Sequence, residues 1–404
     1  MTHLAGAIIL GLDSAIGLTI MRELGQHGVP VHGVGRSTSG VAAASRYCTT
    51  AFERPDGPIA AWLPDLIART GAGALFATSE TDLLELAGLP PRIGDCHLLV
   101  PRMEPLQKVL DKNRTLAAAA EAGLRVPHSW QPVAGEDFAE RIAALRYPVV
   151  AKWAHPPEAM RRLGAHGLEW IKADYVRSAG ELARLLGRYR PVGCWPLIQE
   201  YCGGWGLGQM LHMADGRATL RFQHRRLHEW PPEGGVSTLC RAEPPERHAA
   251  QMALSEKLLR ALDWQGPAMV EYRHDGTHYW LMEVNGRFWG SLPLAWHCGA
   301  HFAWEGYRRA VLGERDSGQA ASPYRGLRAR YMVPETKRLA RLLLAPRRIG
   351  DPFFRVHRVR EAAGYILAFF DPRTRYYILT LSDPRPWMRD MAQIFRKAVR
   401  REKC

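Results

Sequence analysis

Two apolar runs, GPAMVEY and YWLMEV, flank Asp275-Gly276 and read as a β-hairpin. Along the second run Glu283, Asn285 and Arg287 occupy alternate positions. Alternate side chains of a strand share one face, so a carboxylate, a carboxamide and a guanidinium are expected to line up. Glu271 sits in the first run, twelve residues before Glu283. A two-residue turn pairs Glu271 with Trp280 and sends the two acids to opposite faces. A three-residue loop or a bulge brings both to one face. Two carboxylates and an amide on one face make an oxygen-rich site for a hard divalent cation, above all Mg2+. On spacing alone these acids equally describe the solvent face of an edge hairpin.

The surrounding sequence supplies cations. Lys152 closes the β-rich run YPVVAKW, and Lys112 lies on the helix expected before it, over about 104–122. Either lysine alone is an ordinary surface group. Two cations on separate elements suit the phosphate chain of a nucleotide. LIQEYC (197–202) reads as a strand leaving a domain edge, with backbone for a base edge and Leu197, Ile198 and Tyr201 as apolar walls. His224, Arg225 and Arg226 cluster in HRRLHEW, where arginines hold a phosphoryl group or carboxylate, or simply form a basic surface strand.

The chain has 404 residues, enough for two or three domains, and 47% hydrophobic with 23% charged residues is a globular balance. No apolar run approaches the roughly 18 residues of a membrane span. The N-terminus lacks a basic n-region, so no signal peptide is expected. Seven cysteines without a CxxC pair read as free thiols of a cytoplasmic protein. Strand, helix and strand follow one another in AGAIIL, SAIGLTIMRELGQHG and VPVHGVG, so residues 1–105 read as a parallel α/β domain. The loop GLDSAIG is not GxGxxG, which argues against dinucleotide binding. After residue 105 hairpins and helices alternate, an α+β pattern. His297, Cys298 and His301 read as a packed helix and not a zinc site.

Net charge is +14, and residues 315–404 hold 21 Lys/Arg against 8 Asp/Glu, so nearly all the excess lies in a C-terminal extension. That extension contains basic helices and a hairpin-like apolar stretch, EAAGYILAFFDPRTRYYILTL. It has no nucleic-acid reader motif, so nucleic acid is not the expected partner. Contact with an anionic membrane fits its mixture of Leu, Phe and Trp with Arg. A solvated extension packed on the core fits as well.

The order of DKNRTLAAAAEAGLRVP, YPVVAKW, LIQEYCGG, GPAMVEY and LMEVNGRFWGS resembles the ATP-grasp superfamily of carboxylate–amine ligases, across about residues 1–313. SRYCTT (45–50) is similar to a phrase of their preceding domain, and HRRLHEWPPEGGVS to a bacterial uncharacterised branch. The resemblance implies an α/β preceding domain (1–105), a linker helix and small lid subdomain (106–195), and a larger antiparallel-sheet nucleotide- and metal-binding subdomain (196–314). Residues 315–404 then form the basic extension. It implies that Lys112 and Lys152 contact ATP phosphates, and that Gln199, Glu200, Tyr201 and Cys202 form the adenine hinge. Glu271, Glu283 and Asn285 would hold Mg2+ or Mn2+. Arg287 would stabilise an acyl phosphate, with Arg225 or Arg226 assisting. The implied function is an ATP- and Mg-dependent ligase joining a small carboxylate to an amine, with a homodimer compatible. A non-catalytic nucleotide-binding regulatory protein is the alternative. Two departures stand out. Leu207 replaces an expected ribose-binding acid, leaving Gln209 as the nearest polar substitute. The loop after Lys152, AHPPEAMRRLGAHG, is less rich in glycine although Gly164 and Gly167 remain, with Arg161 and Arg162 as electrostatic replacements.

Overall fold

A computed structural model describes residues 4–171, 173–315, 320–351 and 353–401. The chain opens with β1 (Gly6–Leu10), α1 (Ala15–Gln26), β2 (Val31–Gly35) and β3 (Cys48–Glu53). It continues through α2 (Ile59–Thr70), β4 (Ala72–Ala77), α3 (Glu80–Ala87), β5 (Arg92–Ile93) and β6 (Cys96–Leu98). These strands form a sheet of order β3-β2-β1-β4-β6-β5, parallel except for β5. GAIIL in β1 is apolar throughout because helices cover both faces. Ser14 caps α1 by accepting from Gly17 N at 2.9 Å. The connections change direction between β1 and β4, and the loops 11–14 and 78–79 flank that crevice.

The helix expected over 104–122 is two helices, α4 (Met103–Leu110) and α5 (Lys112–Glu121). Asp111 divides them: its backbone is extended, and its carboxylate accepts from Asn113 N and Arg114 N as the N-cap of α5. Lys112 is thereby the first residue of a helix and not part of a helix interior.

A four-stranded sheet follows, with β7 (Ser129–Trp130), β8 (Val149–Lys152), β9 (Ala173–Val176) and β10 (Leu197–Glu200) in the order β7-β10-β8-β9. α6 (Phe138–Ala144), α7 (Pro156–Ala165) and α8 (Ala179–Arg188) accompany it. Ile142, Leu163, Leu182 and Leu186 pack on Val149, Ala151, Trp153 and Ile198, which gives this sheet a small core of its own. The opposite face presents Lys152 and Gln199.

The largest sheet contains β11 (Trp205–Ala214), β12 (Arg217–Trp230), β13 (Val236–Ala242), β14 (Gly266–His274) and β15 (Tyr279–Asn285). α9 (Ala249–Ala261) covers the face bearing Leu207, Leu211, Val270 and Tyr272. α10 (Leu292–His297), α11 (Phe302–Ala310) and the first domain cover Met210, Phe222 and Met269 on the other. Past residue 315 the chain rejoins this sheet through β16 (Arg328–Arg330) and β17 (Thr374–Tyr376), giving the order β15-β14-β11-β12-β13-β16-β17. The extension also carries α12 (Met332–Leu344), α13 (Arg358–Leu367) and α14 (Arg385–Arg401). The expected hairpin in EAAGYILAFFDPRTRYYILTL is therefore a helix and a single strand; β17 pairs with β16 in parallel, a partner no local pattern could name. A buried Arg22–Asp383 ion pair of 3.0 Å ties α1 to the segment before α14.

Among the described residues no helix is long and apolar enough to cross a membrane. His297, Cys298 and His301 pack at the α10–α11 junction, and among the described residues no group of three or more His, Cys, Asp or Glu side chains is arranged to hold a metal ion. Cys404 lies outside the described residues.

Candidate active site

The hairpin parity resolves in favour of convergence. Its loop is the four residues Asp275–His278, held by the Asp275 carboxylate, which accepts from Thr277 N at 2.8 Å and His278 N at 2.7 Å. An even loop by itself sends the acids to opposite faces. A bulge between Glu271 and Tyr272 shifts the register, so Tyr272 pairs with Leu281 but Glu271 pairs with Glu283. Asn285 closes the group: its Nδ2 donates to Glu271 Oε1 at 2.9 Å and to Glu283 Oε1 at 3.5 Å. Two carboxylates and one carboxamide converge on one patch, a donor set suited to a hard cation whose remaining ligands come from substrate and water.

Arg226 reaches this patch from β12. It is paired with Glu271 and lies 4.0 Å from Glu229. Burial opposes its charge, but Glu271, Glu229 and Glu283 more than offset that and raise its pKa. The side chain crosses the intervening strand over Gly206, where a Cβ would sit 2.8 Å from Arg226 Cδ and 3.2 Å from its Cβ. Glycine at 206 thus leaves room for the arginine. Gly206→Val is expected to displace Arg226, lower catalytic turnover about tenfold or more, and destabilise the protein by about 1–3 kcal/mol through overpacking. Steady-state kinetics and thermal unfolding of the variant check both numbers.

Lys152, half-buried at the end of β8, lies within electrostatic reach of this patch. Burial pushes its pKa down to about 8; Glu283 resists that shift, while Arg273 and Lys112 add to it. Lys152 is thus within electrostatic reach of Lys112, Arg273 and Glu283. Lys152 Nζ donates to Gln199 Oε1 at 3.4 Å, and Gln199 Nε2 donates to Ser129 Oγ at 3.1 Å.

β10 is an internal strand, so its backbone is not open to a base along its length. It lies between β7 and β8, and Glu200 N donates to His128 O at 2.8 Å. The backbone is spoken for up to Glu200, which leaves Tyr201 and Cys202, beyond the strand, for any base edge. Burial pushes the Cys202 thiol up to about 12, so it is an uncharged wall. Tyr201 OH is 3.3 Å from both carboxylate oxygens of Asp351, and its ring lies 4.8 Å from that of Phe353. The segment between α12 and α13 therefore packs on Tyr201, just beyond β10.

Other sequence expectations are corrected. Arg225 lies on the far face of β12, its guanidinium 3.9 Å from the Trp205 ring centroid and near Arg241, Glu243 and Arg247. Adjacent residues of a strand face opposite ways, so only Arg226 of the pair can meet the acids. Gln209 is fully buried on that far face too. It donates to Gln223 Oε1 at 3.0 Å and His248 O at 3.2 Å, and accepts from Ser255 Oγ at 2.7 Å. With its hydrogen bonds committed there, it is no ribose ligand, and Leu207 is core beside it.

Arg287 does not extend the row of Glu283 and Asn285, because β15 ends at Asn285. Its Nε donates to Glu80 Oε1 at 3.1 Å, in the first turn of α3, so it bridges to the crevice of the first domain. The loop after Lys152 is the helix α7. Prolines at its first two positions remove N–H groups that a phosphate would use. Arg162 pairs with Glu158 at 2.6 Å and lines a cavity of about 320 Å³ with Trp153 and Trp195, while Arg161 is exposed.

Arg273 is the cleft residue that sequence reasoning overlooked. It lies two positions after Glu271, and its Nη2 is 3.7 Å from Glu229 Oε2. The alternation that singled out Glu283 and Asn285 applies equally to Glu271 and Arg273. Asp351, Phe353 and Glu80 carried no such local signal.

No family model and no curated protein matches this chain. Solved structures do. The biotin carboxylase domain of a 2-oxoglutarate carboxylase from Hydrogenobacter thermophilus, in complex with MgADP, ADP and bicarbonate, superposes with a TM-score of 0.59 at 14% identity. The match spans 78% of this chain and 72% of that one. N5-carboxyaminoimidazole synthetase from Staphylococcus aureus, complexed with ADP, gives 0.57 at 12% identity over 80% of each chain. Biotin carboxylase from Campylobacter jejuni, complexed with β,γ-ATP, gives 0.59 at 12% identity, over 78% and 72%. This is the ATP-grasp fold. In this chain β16 and β17 continue the sheet that holds β11–β15.

Proposed function

We propose that this ATP-grasp protein is an ATP- and Mg2+-dependent ligase that activates a carboxylate as an acyl phosphate and joins it to an amine. The observation carrying the reading is the convergence of Glu271, Glu283 and Asn285 within electrostatic reach of Lys152. On this reading residues 1–105 form the preceding domain, 106–195 the linker and lid, and 196–314 the nucleotide- and metal-binding part.

Glu271, Glu283 and Asn285 would hold Mg2+, or Mn2+ in its place. The two ends of the Asn285 amide have the same shape, so a flip exchanges its donated N–H groups for an oxygen ligand. Mg2+ bound there would neutralise the phosphate chain and the charge gathering on the transferring phosphoryl group. Lys112 and Lys152 bind the phosphates. Arg226, paired with Glu271, fixes that carboxylate in place. Tyr201 and Cys202 meet the base. Arg287, whose present partner is the Glu80 carboxylate, offers the same guanidinium to a substrate carboxylate or its acyl phosphate.

The carboxylate oxygen attacks the γ-phosphorus, and the bond to the β–γ bridging oxygen breaks, releasing ADP. The amine then attacks the carbonyl carbon. Phosphate departs with the C–O bonding electrons, and the amine loses a proton. The lid bearing Lys152 keeps water from the acyl phosphate. The test is phosphate and ADP release by the purified protein, screened across amino acids, other carboxylates and amines. Release that depends on one acid–amine pair supports the proposal.

One observation favours a second reading, a nucleotide-binding protein without turnover. Pro156 and Pro157 open α7 where a glycine-rich phosphate loop is expected. Mg-ATP binding with no substrate-dependent phosphate release across the screen would select it.

A further inference from the structure

α13 is oriented the wrong way round for a soluble protein. It docks on its neighbours through polar groups. Arg338 Nη1 donates to Glu361 Oε2 at 2.8 Å, Tyr365 OH is 2.6 Å from Thr336 Oγ1, and Arg330 Nη1 donates to Tyr365 O at 3.1 Å. Its apolar residues point outward: Val359 is 85% exposed, Ile366 58%, Leu367 65% and Phe370, just past the helix, 78%. The spacing of 359, 363, 366, 367 and 370 makes one helical stripe, with Ala363 exposed among them. Not one residue of α13 is buried. An ordinary surface helix buries such a stripe and exposes its charges.

Charge says what covers the stripe. Arg355, Arg358 and Arg360 are exposed around it, and Arg373 is exposed with its guanidinium 4.0 Å from Asp371. The nearby acids are neutralised: Glu361 by Arg338, and Asp371 by Arg328 at 3.4 Å. A second copy of this chain would bring the same positive excess against itself. Nucleic acid would satisfy the arginines and leave the stripe in water. An anionic bilayer satisfies both, since headgroup phosphates meet the guanidinium groups while Ile366, Leu367 and Phe370 enter the acyl boundary. We propose that α13 is a membrane-docking helix specific for anionic lipid surfaces. The strap leading into α13 lies on the hinge through Asp351 and Phe353, so docking holds the cleft close to the lipid.

The test is co-sedimentation of the full chain with vesicles of pure phosphatidylcholine and with vesicles one third phosphatidylglycerol. Binding to the anionic vesicles alone, weakened by salt, is expected. The combined variant Ile366→Gln, Leu367→Gln, Phe370→Ser is expected to lose at least about tenfold in partitioning. Its thermal unfolding should stay unchanged, because the substituted side chains are exposed. Arg355→Gln with Arg358→Gln and Arg360→Gln should lose binding at low salt. Absence of binding to anionic vesicles at low salt overturns the proposal. So does equal partitioning of the apolar variant, or a dimer in solution that this variant dissolves, which assigns the stripe to a second copy. None of these outcomes depends on ATP turnover, so the ligase reading stands or falls separately.

Discussion

Glu283→Ala and Asn285→Ala each lower substrate-dependent phosphate release by about a thousandfold, while the protein stays folded. Both side chains are half-buried at the cleft, and truncation there costs about 1 kcal/mol or less. Glu271→Ala behaves differently. It removes the carboxylate paired with the largely buried Arg226 and leaves the more distant Glu229, at 4.0 Å, and Glu283 to answer that charge. It is therefore expected to lose turnover and also about 3 kcal/mol of stability. Kinetics alongside denaturant unfolding separates the three variants. Normal turnover by Glu283→Ala would falsify the metal site.

The second large effect concerns Lys152. A charge-assisted contact to phosphate contributes about 1.5–3 kcal/mol, so Lys152→Ala weakens Mg-ATP binding by about ten- to a hundredfold. The sign of the pH dependence follows from burial. Lys152 titrates near 8 in the free protein, and phosphates favour its charged form. Affinity is then full below that value and falls as pH rises through about 8, by at most about tenfold per pH unit. Binding near pH 8 takes up protons, which calorimetry reads as a buffer-dependent heat. Lys152→Arg keeps the charge at high pH and flattens the profile. A wild-type affinity constant through that range would show that Lys152 does not touch the phosphates.

Whether the acids converge illustrates how far local pattern reaches. Alternation identified Glu283 and Asn285, and the same rule reaches Arg273 from Glu271. The face on which Glu271 lands depends on a bulge whose extra residue, Met282, looks like any other strand residue. Arg225 and Gln209 failed because a strand's absolute orientation is set by what packs on it; α9 claims that face through Ser255 and Met252. Asp111 is a legible N-cap in retrospect, since Asp followed by Lys-Asn-Arg can open a helix as well as continue one.

Residue order by itself determined the alternation of element types, the apolar faces that make each sheet bury one or both sides, and the identity of the acids, the amide and the two lysines. These follow from periodicity and side-chain chemistry, which act over a few residues. Only the tertiary structure decided that Arg287 meets Glu80, that Asp351 meets Tyr201, and that the basic extension continues the core sheet. Those partners lie 207 and 150 positions apart in the chain. Contacts at such separations are selected by the packing of whole elements, and no short stretch of sequence records them.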